Sequence, residues 1–108
     1  MSPLFTYGAL ADGATYHDVV GRHPQGVPAL LPGYRVQHSL GYAFVVEEEG
    51  SLVEGFLVQN VQTPDLWILD DYHSTAEGLY ERRKVQVQVE DQFTEATTYV
   101  GGPGLASP

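Results

Sequence analysis

Cysteine is missing from all 108 residues, and only five Lys and Arg stand against fourteen Asp and Glu. Without a thiol the chain has no disulfide framework, no thiolate metal site and no cysteine nucleophile. The shortage of cations leaves a formal charge of −9 and works against nucleic acid, because affinity for a phosphate backbone comes from Lys and Arg that displace counterions. It works equally against anionic membranes. Long apolar runs are missing too, and none approaches the roughly 20 residues of a membrane span. Residues 1–10 carry no basic segment ahead of an apolar one, so no secretory leader is expected. A cytoplasmic protein without nucleic-acid or membrane partners is the expectation. What is present suffices for a core: 43% hydrophobic against 18% charged residues fits one small globular domain.

Residues Pro3 to Tyr7 read as a short strand that Gly8 interrupts. Tyr16, Val19 and Val20 recur at helical spacing, which predicts a helix over Ala14 to Arg22 before the breakers Pro24 and Gly26. Pro32 and Gly33 punctuate a strand containing Tyr34 and Val36, and Gly41 separates it from the run Tyr42 to Val46. The polar Glu47-Glu48-Glu49-Gly50 then predicts a solvated hairpin turn leading to a strand over Leu52 to Val61. Thr63, Pro64 and Asp65 combine a hydroxyl cap, an early proline and an acid, so a helix is expected to run to Tyr72. Its stripe of Leu66, Trp67, Ile68, Leu69 and Tyr72 is expected in the core. Val85, Val87 and Val89 alternate with Gln86 and Gln88, marking a strand from Tyr80 to Val89, with Thr94 to Val100 as its partner. A single domain over residues 1–101 and a flexible tail over 102–108 complete the division.

Two segments carry candidate chemistry. Tyr7-Gly8-Ala9-Leu10 is a strand entering a glycine turn, where successive backbone N–H groups can converge on an anion such as a carboxylate. An ordinary strand end is the plain alternative. In the second segment, Leu69-Asp70-Asp71-Tyr72-His73, the imidazole lies one turn beyond Leu69 on the core-directed face. There it either meets a ligand or caps the helix C-terminus, and residue type alone favours the cap. His17, His23 and His38 lack the short spacing of a metal site, so no metal is expected. Arg82 and Lys84 share one strand face opposite Arg83, and Arg82 either pairs with nearby acids or touches an anion at a cavity mouth.

Taken together these segments resemble the γ-glutamylcyclotransferase-like superfamily. The resemblance is carried by Tyr7 to Leu10 as a Tyr-Gly-x-Leu loop, by Leu30 to Tyr34, by the strand Val53 to Val58, and by Leu69-Asp70 followed by Tyr80-Glu81-Arg82 and the valine strand. It spans residues 3 to 100. It implies an α+β fold, a small mixed β-barrel with short flanking helices. It also implies a γ-glutamyl ligand held by the Tyr7–Leu10 backbone amides, Tyr80 lining the cavity, and no cofactor. In active members a glutamate serves as general base while the substrate's α-amine attacks the γ-carbonyl, giving 5-oxoproline and a released amine. Counting seven residues back from Tyr80 places His73 at the glutamate position, with Glu77 the nearest acid. Ala9 stands where threonine or serine is common.

Neutral imidazole can accept a proton from an amine, and its usual pKa of about 6.5 lies near working pH. Unlike a carboxylate, it offers no charge to an ammonium group. Two readings therefore stay open: a cyclotransferase with weak or altered activity that uses His73 or Glu77, and a non-catalytic binder of a γ-glutamyl or similar small carboxylate on the same barrel. An unrelated interaction domain on a barrel scaffold is a third. The leaving group and the oligomeric state are left open by the sequence.

Overall fold

In a computed structural model that describes residues 3–106, five strands close into a barrel in the order β1-β3-β2-β4-β5. They are β1 (Leu4–Thr6), β2 (Gly26–Ser39), β3 (Tyr42–Val58), β4 (Tyr80–Val89) and β5 (Gln92–Gly101). A 3-10 turn (Gly8–Ala11) and α1 (Gly13–Val20) follow β1, while α2 (Thr63–Tyr72) and a second 3-10 turn (Thr75–Glu77) lie between β3 and β4. The mixed barrel with short flanking helices agrees with the expected α+β fold.

Strand alternation sorts the apolar residues into two cores. Phe5, Leu31, Val45, Val87 and Val100 come only from strands and fill the barrel. Their neighbours Leu4, Phe44 and Tyr99 point the other way and pack with Tyr16, Val20 and Leu69 from the helices. The ring closes through a parallel pairing of Leu4 with Thr97, where the Thr97 amide donates to the Pro3 carbonyl at 2.8 Å. Beside it the buried Thr98 hydroxyl donates to the Phe5 carbonyl at 3.0 Å.

Three expectations need correction. The acidic triplet is not a hairpin turn: β2 and β3 form one long ladder turning at Leu40 and Gly41, and Glu47–Gly50 lies inside β3. The register jumps from Pro32↔Leu52 to Tyr34↔Glu47, so residues 48–51 bulge opposite the single residue Gly33. Charged residues thus bow out of a strand without ending it. The α2 stripe is core only at Leu66 and Leu69, because the helix packs on one side only. Leu69 is fully buried, whereas Trp67 is 66% exposed and Ile68 and Tyr72 are also exposed. Nor does the chain beyond Gly101 run loose as far as it is described. Pro103–Ala106 forms a helical turn, α3, whose Leu105 joins the outer core, and the Gly102 amide donates to the Leu79 carbonyl at 2.8 Å. Ser107 and Pro108 lie outside the described residues.

Smaller shifts have local causes. α1 is capped by Asp12, whose carboxylate accepts from the Thr15 amide at 3.1 Å, and it stops at Gly21. The cap of α2 is Gln62 and not Thr63, because Gln62 adopts the extended conformation and its amide donates to the Asp65 carboxylate at 3.0 Å. Asp65 is buried and also receives the Arg22 guanidinium at 3.1 Å, tying the end of α1 to the start of α2.

Candidate active site

The end of β1, the tip of the β2–β3 hairpin and the end of α2 surround a cavity of about 400 Å³. One wall is the turn Tyr7–Leu10, and Gly8 at φ +61° lets the chain swing from extended strand into a 3-10 turn that an L side chain would disfavour. Opposite stand His73 and Tyr80, with Tyr99 between. All four residues expected to bind ligand in the loop, Tyr7, Gly8, Ala9 and Leu10, line this space together with Tyr80 and His73.

His73 caps α2 and faces the cavity at once. It is the C-cap of α2, and its backbone amide donates to the Leu69 carbonyl at 2.9 Å. Its ring also lines the cavity, with Nδ1 2.7 Å from the same carbonyl oxygen. A carbonyl only accepts, so Nδ1 carries the proton and the neutral ring keeps a lone pair on Nε2. The ring is buried, and burial pushes its pKa down to about 4 against the lesser upward pull of Leu69 and Asp70. The cap is therefore a neutral hydrogen-bond donor and not the cation that a helix dipole favours.

Aromatic rings fix the imidazole on three sides. Tyr99 stacks flat on it at 3.9 Å and 6°, while Tyr80 and Tyr72 meet it edge-on at 4.9 and 5.1 Å. The Tyr99 hydroxyl donates to Asp70 Oδ1 at 2.6 Å, and Arg82 Nε reaches the same oxygen at 3.0 Å. The hydroxyls of Tyr7 and Tyr80 are committed to backbone carbonyls. Tyr7 donates to the Tyr99 carbonyl at 2.5 Å and Tyr80 to the Ala43 carbonyl at 2.6 Å. Burial pushes the Tyr80 phenol up to about 12 and raises those of Tyr7 and Tyr99 as well, so all three stay protonated.

Two candidates fall outside. Glu77 sits exposed in the second 3-10 turn and does not line the cavity, because the short spacer after His73 is consumed by left-handed turns at Ser74 and Gly78 that keep it at the surface. Arg82 stands behind the cavity, paired to Asp70, and not at its mouth. Asp70 and Tyr99 are the partners that sequence reasoning passed over. Asp70 belongs to the Leu69-Asp70 motif but was assigned no contact, whereas Tyr99 was one residue of the strand Thr94 to Val100. The described cavity lining holds no carboxylate, Lys or Arg, and no cluster of three His, Asp or Glu among the described residues is arranged to hold a metal. His17 and His23 stack flat on each other at 4.0 Å. Among the described residues, no helix is long and apolar enough to cross a membrane.

The sequence pattern of gamma-glutamyl cyclotransferase, AIG2-like proteins matches residues 4–107. The chain belongs to that family. It is 27% identical over 90 residues to a Methanocaldococcus jannaschii protein named gamma-glutamylcyclotransferase and putative RNase, and it spans only 40% of that protein's length. An Arabidopsis thaliana protein of known solution structure is 27% identical with a TM-score of 0.79, covering 93% of this chain and 61% of its own. A solved gamma-glutamyl cyclotransferase superposes with a TM-score of 0.81 at 18% identity, over 93% of this chain and 66% of that one, which establishes the shared fold.

Proposed function

We propose that this family member cyclises a γ-glutamyl amine or peptide to 5-oxoproline and releases the amine. The ligand lies between the Gly8 turn and His73, with the Tyr7–Leu10 backbone amides toward its γ-glutamyl moiety. The α-amine nitrogen attacks the γ-carbonyl carbon, the ring C–N bond forms and the original amide C–N bond breaks. Nε2 of His73 takes the proton from the attacking amine and hands it to the departing one, so the imidazole ends as it began. The observation carrying this reading is the tautomer: the Nδ1 bond to Leu69 leaves a bare Nε2 on an imidazole that shares one cavity with the glycine turn.

The same geometry sets a low rate. A base whose pKa lies near 4 takes a proton from an ammonium of pKa near 7.7 to 8.0 uphill by roughly four units, about 5 kcal/mol. Catalysis therefore works on the fraction of substrate already present as free amine. Incubation with a panel of γ-glutamyl dipeptides and amines, followed by detection of 5-oxoproline, tests the proposal, and absence of product across the panel removes it. His73→Glu places a carboxylate in an intact cavity and is expected to raise turnover by about 10²-fold or more.

The second reading is a binder of small γ-glutamyl carboxylates, favoured by the uncharged lining around His73. Ligand-dependent thermal stabilisation without product supports it, since a compound that prefers the folded chain raises its stability. Under either reading the net charge of −9 supports a small-molecule ligand over nucleic acid or membrane.

A further inference from the structure

We infer that Tyr99, held from behind by Asp70 and Arg82, positions His73 and stabilises its protonated form through the face of the phenol ring. A buried imidazole that accepts a proton needs compensation nearby, and no carboxylate lines the cavity to provide it. The ring of Tyr99 lies parallel to the imidazole at 3.9 Å, well inside the range at which a cation is attracted to an aromatic face. Its hydroxyl donates to Asp70 Oδ1 at 2.6 Å, a charge-assisted bond that pushes electron density into the ring. Arg82 Nε fixes that carboxylate at 3.0 Å and offsets part of its charge. The Nδ1 bond to Leu69 stops the imidazole from rotating off the stack.

The remaining titratable or charged groups around the cavity are Tyr72 and Asp70 from α2, Tyr80 and Arg82 from β4, Tyr42 from β3, and Tyr7 on the opposite wall. Burial keeps Tyr7, Tyr80 and Tyr99 protonated, so Asp70 is the charge that acts on His73 and Arg82 acts through Asp70, with Tyr99 between. Tyr99 also ties the two walls together, because its main-chain carbonyl accepts the Tyr7 hydroxyl. The catalytic consequence rests on the cyclotransferase reading, whereas the placement of the ring does not.

The test is an NMR titration of His73 in the ¹⁵N-labelled full chain, which reports both tautomer and midpoint. Tyr99→Phe keeps the stack but loses the bond to Asp70, and is expected to lower the midpoint by about half a pH unit. Asp70→Asn lowers it further. Arg82→Gln, which frees the Asp70 charge, raises it; general loosening of the fold would wet the ring and raise it too, so the downward shifts in Tyr99→Phe and Asp70→Asn are the ones that loosening does not produce. An unchanged midpoint in Tyr99→Phe, or a downward shift in Arg82→Gln, overturns the inference. Should Asp70→Asn fail to fold, the other two variants still decide. Where γ-glutamyl turnover is measurable, Tyr99→Phe lowers kcat with little change in KM and moves the acidic limb of the pH profile. If the midpoints move as stated but no 5-oxoproline forms, the positioning role stands and the enzymatic reading falls.

Discussion

His73 joins pH to stability in a direction that follows from its burial. Its folded pKa, about 4, lies below the usual 6.5, so between those values the unfolded chain binds the proton and the native chain does not. Stability from this residue is complete above pH 6.5 and is lost as pH falls toward 4, by about 3 kcal/mol in all. Urea unfolding at pH 7 and pH 4.5 should show a smaller loss in His73→Gln than in the wild type, and equal losses would contradict this assignment. The place of His73 was readable in the sequence because Leu69 lies one helical turn earlier and both sit in a motif. Tyr99 was not, since alternation along β5 says which face a residue is on but not what it meets there. From Ala96 to Val100 both faces are buried, so the strand has no polar side to mark a functional one.

Among the elements, the joint between α1 and α2 depends on a single carboxylate. Asp65 is buried beneath Arg22 and also accepts from the Gln62 amide. Arg22→Leu leaves that carboxylate buried with one partner fewer, and we expect a loss of about 2 to 3 kcal/mol in chemical denaturation. Asp65→Asn with Arg22 intact should cost less, because the guanidinium is part-exposed and can turn to water. A sequence shows Asp65 only as a helix-start acid, since an ion pair across 43 residues leaves no local mark. The existence of α2 was legible for the opposite reason: its start signal is local. Its orientation was not. Five apolar residues in ten exceed what one contact face can cover, which leaves Trp67 outside. The long β2–β3 ladder was hidden by the run of three glutamates, which reads as a turn wherever a bulge is not considered.

For the molecule as a whole, the β4–β5 hairpin was visible in outline, but the β2–β3 hairpin and the closing of the ring were not. β1 meets β5 at one residue pair, too little to leave a period in the sequence. The closure demands close approach at Gly55, where a Cβ would run into the Thr6 carbonyl oxygen and the Phe5 ring. Gly55→Val should therefore lower stability by about 2 kcal/mol or more, and Tm by roughly 10 °C, as read by calorimetry or circular dichroism. A Tm within about two degrees of the wild type would show that β1 tolerates displacement.

β1 is three residues long, yet it bridges two much longer partners. Deleting it would leave the parallel pairing of Val45 with Val100 as the join between β3 and β5 and bare the rest of their borders, two rows of backbone donors and acceptors able to recruit a strand from elsewhere. A chain starting after Thr6 is thus expected to self-associate, and a synthetic peptide of residues 1–7 should dissolve those assemblies by filling the gap. Light scattering with and without the peptide reads the effect directly. So few residues, placed at the seam, would decide whether this protein stays apart from its own copies.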